Sequence, residues 1–272
     1  MIYFYDIKTN KSELVYSTPK HPKWMHSAEV TDCGKYLIIT TCESCDPVNS
    51  VLLKEISSGK ITNVVENFES EYSYLTNIGK IFYFKTNSKA TRNRIISINI
   101  ETLEMDEIVK ETSDVLENCG VMSCGSKLLL VLVYLSDCKN TMKIRTLNGD
   151  GDDEKEIKLP SLGTIGAIRL RRDSDEMFYS FTSFLYPGTV YHLQFHKSFE
   201  EDLTQKVVFD MKVEGFDRDS FETKQIFYES KDGTCVCVCL FVCMSFFLLT
   251  HSLTHYRTNR YANSNVHCWS QR

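Results

Sequence analysis

The sequence predicts an all-β fold of the β-propeller type. Short runs of β-forming residues recur at intervals of about ten residues and are separated by turn residues, the spacing of an all-β architecture. Sustained helical periodicity is scarce along the chain. Longer units with one shared order of turns and strands restart every 40 to 50 residues or so, which is about the length of a four-stranded propeller blade.

The individual strands are predicted from their composition. Each run is rich in aromatic and β-branched residues, whose side chains suit the pleated, half-buried surface of a strand. Polar turn residues follow each run and end it. The clearest runs are residues 3–5, 36–39, 50–53, 80–84 and 94–100.

Four longer segments repeat the same pattern, in which a polar turn with Gly or Asp leads into an apolar strand. They are DCGKYLIITT (32–41), NIGKIFYFKTN (77–87), SCGSKLLLVLVYL (123–135) and RDSDEMFYSFTSF (172–184). One such unit cannot bury both faces of its sheet alone, so units of this kind stack around an axis. The pattern alone predicts about five or six blades, with a pair of packed sheets in a β-sandwich as the alternative.

Composition and charge exclude a nucleic-acid-binding protein. The chain has 272 residues, of which 42% are hydrophobic, which suffices for a packed core. The formal net charge is -5, although residues 235–272 hold three Arg and no Lys, Asp or Glu. The preceding residues are therefore more acidic than the total indicates. A nucleic-acid partner would require the opposite charge, concentrated on one face.

The cysteines, histidines and acidic residues predict no metal site and no cofactor. Cys42 and Cys45 form a Cys-x-x-Cys pair, but neither a second pair nor a helical pattern accompanies them, so they are interpreted as ordinary thiols. His192 and His196 share one face of a predicted strand about 13 Å apart, too far for one ion. The acidic segment 148–154 lacks the Glu that completes a calcium loop and is interpreted as a turn.

Residue patterns assign no catalytic residue and no secretory signal. No Gly-x-Ser-x-Gly turn occurs, and the nearest stretch, residues 124–127, begins a predicted strand. None of the seven histidines has a fixed local relation to an acid and a hydroxyl. The N-terminus lacks a basic segment followed by an apolar one, so we expect a reducing, cytoplasmic location with free thiols.

Longer phrases in residues 21–49, 66–87, 174–192 and 225–234 resemble the prolyl oligopeptidase family. The most specific are FTSFLYPG followed by a Tyr-rich strand and, some forty residues later, FYESKDGT. The resemblance implies cytosolic, monomeric serine peptidases that cleave short peptides after proline. It also implies a seven-bladed propeller that caps an α/β-hydrolase domain and restricts access to small, proline-containing peptides.

The resemblance predicts three parts in this chain. Residues 1–220 are expected to form an incomplete seven-bladed propeller of about six to seven blades, with the first blade incomplete. Residues 221–234 resemble the first strand of a truncated α/β-hydrolase domain, and 235–272 form an aberrant apolar, Cys-rich tail. The family's Gly-Gly-Ser-Asn-Gly-Gly nucleophile segment, its acid and its histidine have no counterpart, so the chain alone is expected to be inactive. The alternative function is a non-catalytic propeller that binds peptides or proteins.

One residue is implied by the resemblance to face the substrate pocket. The family has a propeller Cys ten residues before a Tyr-Leu pair, and Cys124 holds that position before Tyr134 and Leu135. The preceding stretch, residues 117–124, leaves Cys119 as a competing alignment. A plain thiol at a strand end is the alternative for both.

The tail differs in composition from the rest of the chain. Residues 235–250 carry no charge, and the repetitions of Cys-Val and Thr-His indicate translated non-coding sequence. A membrane anchor is the alternative, but this run is shorter than the roughly twenty residues of a spanning helix. We expect the tail to be disordered or non-native, with an aggregation-prone strand as a further interpretation. Strand 221–234 would then lack a partner, and poor solubility is expected.

Overall fold

The computed structural model describes residues 1–149, 153–196 and 202–243, which form twenty β-strands and one short 3-10 helix, Arg218–Ser220. The strands are β1 Ile2–Asp6, β2 Lys11–Tyr16, β3 Met25–Val30, β4 Tyr36–Cys42, β5 Ser50–Glu55, β6 Ile61–Val65, β7 Tyr72–Ile78, β8 Ile81–Thr86, β9 Arg94–Asn99, β10 Met105–Val109, β11 Val115–Cys124, β12 Lys127–Ser136, β13 Lys139–Thr146, β14 Lys155–Ile157, β15 Thr164–Leu170, β16 Glu176–Thr182, β17 Thr189–His196, β18 Asp202–Asp210, β19 Phe221–Glu229 and β20 Cys235–Cys243.

These strands form six antiparallel sheets. Four sheets have four strands in sequential order: sheet 1 (β3–β6), sheet 2 (β7–β10), sheet 3 (β11–β14) and sheet 4 (β15–β18). The pairs β1–β2 and β19–β20 are two-stranded. The predicted all-β, blade-like architecture is confirmed. Within the described residues, the number of sheets reaches the predicted six only when both two-stranded sheets are counted.

The first strands of sheets 2 to 4 lie on the inner side of the stack of sheets. Strands β7 and β11 contact each other, and β11 and β15 do the same, although each pair belongs to two different sheets. A radial arrangement explains this, since the innermost strands of adjacent blades approach most closely. The fourth strands, such as β10, carry several exposed residues and lie on the outside.

Three apolar cores fill the spaces between consecutive four-stranded sheets. The second strand of sheet 3, β12, shows how the sequence builds them, because successive side chains of a strand point to opposite faces. The side chains packed against sheet 4 are Leu129, Val131 and Val133, and those packed against sheet 2 are Leu130, Leu132 and Tyr134. Both faces are therefore buried, which explains the unbroken apolar run of this strand.

The turns between first and second strands repeat one backbone conformation. Gly34, Gly79 and Gly125 occupy these turns in sheets 1 to 3 with φ of 69°, 58° and 59°. A positive φ is readily adopted by glycine, because a side chain would clash with the backbone there. The Gly shared by the first three sequence segments thus marks the inner turn of sheets 1 to 3. Sheet 4 makes the same connection without glycine, through residues 171–175.

Strand β19 pairs with β20 along its whole length, from Phe221 with Cys243 to Glu229 with Cys235. This differs from the expectation of an unpartnered strand followed by a disordered tail. The alternating Cys and Val residues of 235–243 favour an extended chain, and the turn at Ser230–Thr234 brings it back onto β19. The rest of the tail, 244–272, lies outside the described residues. No helix in the described part of the chain is long and apolar enough to cross a membrane.

Candidate functional site

A polar network joins the inner turns of the four-stranded sheets. It is centred on Arg172, in the connection between β15 and β16. Nη1 of Arg172 donates a hydrogen bond to the backbone O of Asn77 in sheet 2 at 2.7 Å. The same atom lies 3.6 Å from Oδ2 of Asp32 in sheet 1. One side chain of sheet 4 thereby reaches two other sheets, and we call Arg172, Asp32, Asn77 and their partner Thr76 the axial network.

Neighbouring hydroxyl groups support this network. Oγ1 of Thr76 donates to Oδ2 of Asp32 at 2.9 Å, and the hydroxyl of Tyr74 donates to Oδ1 of Asn77 at 2.9 Å. Burial raises the pKa of Tyr74, and the charge of Asp32 adds to that effect, so the phenol stays protonated and acts as a donor. The Asp32 carboxylate therefore has a positive partner and a hydroxyl partner at once.

An exposed thiol lies at the edge of the axial network. Burial alone would raise the pKa of Cys33, but hydrogen bonds from Thr31, the Lys35 backbone and Asn77 outweigh it and hold the pKa below its ordinary value. The contacts measure 3.3 Å to Oγ1 of Thr31 and 3.5 Å to Nδ2 of Asn77. The thiolate fraction of this side chain is correspondingly increased.

Sheet 3 completes the same end of the molecule. The hydroxyl of Ser123 donates to the backbone O of Arg172, and the Ser123 amide donates to the O of Ser174 at 3.0 Å. All four sheets therefore meet at the axial network. Thr76 and Asn77 are buried, whereas Arg172 and Asp32 are partly exposed. The guanidinium and the carboxylate are therefore the groups of the network that can contact a polar chain such as a peptide backbone.

Cys124, the predicted pocket residue, lies at this end of sheet 3. It follows Ser123 directly, ends β11 and pairs with Lys127 across the turn. Its side chain is 5% exposed and belongs to the core between sheets 3 and 4. Burial raises the pKa of the thiol, and the charge of Asp175 raises it further. Cys124 is therefore a protonated thiol at the edge of the polar network.

Cys119, the competing candidate, lies on the opposite face of the same strand. It pairs with Leu132 in the middle of β11 and packs against the core between sheets 2 and 3. Burial raises the pKa of Cys119 to about 12. The two alignments therefore place the implied cysteine in different interblade spaces, since 119 and 124 have opposite parity along the strand.

A cleft of about 500 Å³ lies at the other end of sheet 3, against β19. Its walls carry apolar groups such as Leu159 and Phe221 together with the charged Lys139, Lys158 and Glu222. The β12–β13 turn is at this end, whereas the turn after Cys124 is at the far end of β12. The cleft is thus separated from the axial network by the length of the sheet.

Two of the described histidines contact hydroxyl or carboxylate groups, and the third, His21, stacks on the ring of Trp24. His26 contacts Oγ1 of Thr18 and of Thr41, each at 2.9 Å. His192 contacts Oε2 of Glu176 at 2.8 Å. Neither set joins an acid, a histidine and a hydroxyl in the order of a triad. Within the described ranges no cluster of three or more His, Cys, Asp or Glu could hold a metal ion. The His196 side chain and residues 150–152 of the acidic segment lie outside those ranges.

A repeated asparagine was missed by the sequence analysis. An asparagine lies at the start of the third strand in sheets 1 to 3, and its side chain forms a hydrogen bond with the backbone of the next sheet's first strand. The three residues are Asn49, Asn93 and Asn140. Nδ2 of Asn93, for example, donates to the O of Leu116 at 3.0 Å. The signal is an Asn that recurs 44 and 47 residues apart at one place in the repeat. These side chains join the blades outside the apolar cores.

Comparison with known proteins agrees with the propeller architecture. A family model described as "Prolyl oligopeptidase, N-terminal beta-propeller domain" matches residues 1–206. Prolyl oligopeptidase A of Galerina marginata is 27% identical over 247 residues, covering 87% of this chain and 32% of the relative. A prolyl endopeptidase of Elizabethkingia miricola is 25% identical over 239 residues, with 86% and 32% covered. The chain thus spans about a third of the length of these curated relatives.

A solved structure shows the same fold. Prolyl oligopeptidase B of Galerina marginata, bound to a 25mer macrocyclization substrate, superposes with a TM-score of 0.77 at 23% identity. The alignment covers 90% of this chain and 34% of that one. The family match begins at residue 1 and extends into β18, so it includes all four inner turns and the axial network. The chain therefore belongs to the prolyl oligopeptidase family and contains that family's N-terminal β-propeller domain.

Proposed function

We propose that this chain supplies the substrate-admitting propeller of a serine endopeptidase that cleaves short peptides after proline. The observation that carries the proposal is the match of the family's propeller domain to residues 1–206. A stack of sheets around an axis leaves a narrow central passage, and such a passage admits a flexible peptide more easily than a folded protein. Proline-containing peptides are the proposed partners, with no cofactor.

The axial network is the proposed contact for the passing peptide. The partly exposed Arg172 side chain is held in place by Asn77 and Asp32, so its guanidinium is oriented before a peptide arrives. Such preorganisation limits the entropy lost on binding. Cys124 is proposed to face the substrate pocket from the same end of sheet 3, since its neighbour Ser123 bonds the Arg172 backbone. A cytoplasmic location, and a monomeric state for the complete peptidase, are part of the proposal.

Binding measured against substrate size tests this function. A fluorescent, flexible proline-containing peptide is titrated into the full chain and compared with a folded protein that displays the same segment in a surface loop. We expect saturable binding of the free peptide and binding of the folded protein weaker by at least about tenfold, corresponding to roughly 1.4 kcal/mol. Equal binding of the two would place the contact on the outer surface and contradict a size-selective passage.

Hydrolysis is measured in parallel with a chromogenic Gly-Pro substrate. We expect no turnover by this chain above that of a heat-unfolded sample, because an acyl transfer requires an activated nucleophile and an oxyanion hole. Turnover that a serine-directed inhibitor abolishes would contradict the proposal that this chain supplies the propeller without the catalytic nucleophile. It would also place a catalytic hydroxyl in this polypeptide.

Protection from alkylation tests the role of Cys124. The full chain is treated with a maleimide with and without the saturating peptide, and each thiol is quantified by mass spectrometry. We expect the peptide to slow alkylation of Cys124 more than that of Cys119, because Cys124 lies at the axial end of β11. Selective protection of Cys119 would assign the pocket position to Cys119 instead.

A further inference from the structure

Three thiols meet where the β19–β20 hairpin contacts sheet 3. Cys138 lies in the turn between β12 and β13, and Cys237 and Cys239 lie in β20. Residues 237 and 239 are two apart in a strand, so their side chains point to the same face. That face is turned towards the β12–β13 turn, because Sγ of Cys237 lies 3.6 Å from the O of Asp137.

The local structure explains why Cys138 projects from its sheet. Ser136 pairs with Lys139, which leaves Asp137 and Cys138 as a two-residue hairpin turn. Both have positive φ, 47° and 64°, as the type I′ turn that suits the twist of paired strands requires. The Cys138 side chain is consequently exposed at the tip, while those of Cys237 and Cys239 are half-buried.

A bridge through Gln225 fixes the distance between the two elements. Nε2 of Gln225 donates to the O of Asp137 at 2.5 Å and to Sγ of Cys237 at 3.0 Å. Its Oε1 accepts from Nζ of Lys139 at 3.1 Å. One amide thus holds the turn and β20 together. The Cys237 thiol therefore lies against the turn that carries Cys138, which follows Asp137 directly.

We infer that Cys138 and Cys237 are a redox modification site, at which a reversible disulfide fastens the β19–β20 hairpin to sheet 3. A disulfide requires a sulfur–sulfur distance of about 2 Å, and rotation of the exposed Cys138 side chain at the turn can bring its sulfur to that of Cys237. This inference does not depend on peptide binding or on the peptidase function proposed above.

The reaction is a thiol–disulfide exchange with a low-molecular-weight disulfide. The Cys138 thiolate attacks one sulfur of the small disulfide and forms a mixed disulfide, and the first small thiolate leaves. Cys237 then loses its proton, attacks the Cys138 sulfur and displaces the second small thiolate. The protons from the two cysteines are taken up by the two leaving thiolates. The protein pair is oxidised by two electrons, and the small disulfide is reduced to two thiols.

The surroundings of Cys138 set the direction of the pH dependence. Burial raises the pKa of Cys138, and Cys237 and Asp137 raise it further. Burial also raises the pKa of Cys239, with Cys237 and Cys138 adding to it and Lys139 opposing it. The thiolate is the reactive form, so the exchange is expected to accelerate as the pH rises towards these raised values. An exposed disulfide of this kind is also readily reduced again.

Oxidation of the full chain by glutathione disulfide tests the inference. The native protein is incubated with the oxidant, free thiols are blocked, and the disulfides are mapped by mass spectrometry without reduction. We expect loss of two free thiols per chain and one intramolecular link between Cys138 and Cys237. Dithiothreitol is expected to restore both thiols. A link between Cys237 and Cys239, a link only between chains, or no link would each overturn the inference.

Variants and amide exchange provide matched controls. Cys138→Ser and Cys237→Ser are each expected to abolish the link, whereas Cys45→Ser, which alters another exposed thiol, is expected to leave it intact. In the wild-type chain, oxidation is expected to slow amide exchange of residues 221–243 by about tenfold relative to the reduced chain, since local opening of the hairpin is restricted. Unchanged exchange after complete oxidation would contradict the fastening role even if the variants failed to fold.

Discussion

At the scale of single residues, Arg172 contributes more to the contacts between sheets than its place in the connection between two strands indicates. It reaches a backbone carbonyl 95 residues earlier in the chain, and its own carbonyl accepts from Ser123. Its ion pair with Asp32 is partly exposed, with side-chain exposures of 26% and 39%, so solvent weakens that contact. The stronger contact is the charged hydrogen bond to Asn77.

Replacement of Arg172 tests this assignment. Arg172→Met is expected to lower the free energy of unfolding by about 1–2 kcal/mol, because a hydrogen bond from a charged donor is lost. The measurement is urea denaturation followed by tryptophan fluorescence. Arg171→Met is the matched control, since Arg171 pairs only with the exposed Asp173, and it is expected to leave the denaturation midpoint unchanged. Equal midpoint shifts for the two variants would contradict a structural role of the axial network.

Residue-scale contacts were only partly predictable from the sequence. The motif of the resemblance identified Cys124 and Cys119 as candidates, and strand parity explains why they face different cores. The partners of Arg172 could not be predicted, because residues 32, 77 and 172 meet only after three sheets have packed. No local pattern reports such a contact. The same holds for Cys138 and Cys237, which are 99 positions apart.

At the scale of elements, an asparagine at the start of the third strand joins each of the first three four-stranded sheets to the next one. Nδ2 of Asn49 donates to the O of Tyr72 at 3.0 Å, and the Tyr72 amide donates to Oδ1 of Asn49 at 2.9 Å. The side chain copies the hydrogen-bonding pattern of a backbone amide. It therefore supplies hydrogen-bond partners to the backbone of β7 at a point where no strand of sheet 1 pairs with β7.

Asn49→Ala is expected to lower the free energy of unfolding by about 2–4 kcal/mol. The change removes two hydrogen bonds and leaves a donor and an acceptor of Tyr72 unpaired in a buried position. Thermal and urea denaturation measure the loss. Asn63→Ala is the control, because the Asn63 side chain is exposed and donates a hydrogen bond to Glu66, and a change below about 0.5 kcal/mol is expected. A small effect at both positions would show that the apolar cores alone join the sheets.

Strand positions were well predicted and strand partners less so. The runs at 36–39, 80–84 and 94–100 all fall within or overlap observed strands, since aromatic and β-branched residues report burial directly. The pairing of β19 with β20 was not predicted. A Cys-rich apolar run fits a disordered tail, a membrane segment or a strand equally well by composition, and only contact with β19 and the β12–β13 turn decides among them.

At the scale of the whole molecule, the two-stranded sheets and the outer strand of sheet 4 expose large apolar side chains. Tyr3, Phe4 and Tyr5 are 55%, 61% and 53% exposed in β1. Val207 and Phe209 in β18 are 56% and 55% exposed. Exposed apolar side chains on strands favour association between chains.

Self-association is therefore expected for the isolated chain. Light scattering after gel filtration is expected to show a mass that rises with protein concentration. Val207→Glu combined with Phe209→Glu is expected to lower it, because charges on an outer strand oppose edge pairing. The control is Glu107→Gln, which changes an exposed residue of another outer strand, β10, without adding a charge. A single monomeric mass at every concentration would contradict the expected poor solubility.

The architecture of the molecule was predictable because the repeat is visible in the sequence. The inner turn and the apolar second strand recur at a similar spacing, and a glycine identifies that turn in sheets 1 to 3. The number of complete blades was harder to predict, since a two-stranded and a four-stranded unit begin with the same kind of run. The phrases that resemble the family lie in sheets 1, 2 and 4 and in β19, which is why fold and family could be predicted together.

The two buried faces of β12 have a consequence for insertions and deletions. In a strand with one polar face, a slip of one residue exposes apolar side chains and is strongly disfavoured. In β12 a slip of one residue would exchange one set of apolar side chains for another. The slip would therefore expose little apolar surface, and the hydrophobic effect would disfavour it only weakly. Side-chain size and the strand ends must then fix the alignment, through Tyr134 and the bonds of Asn140 to Tyr134 and Ile165. A one-residue deletion within β12 should therefore yield a chain that still collapses but loses a unique native arrangement.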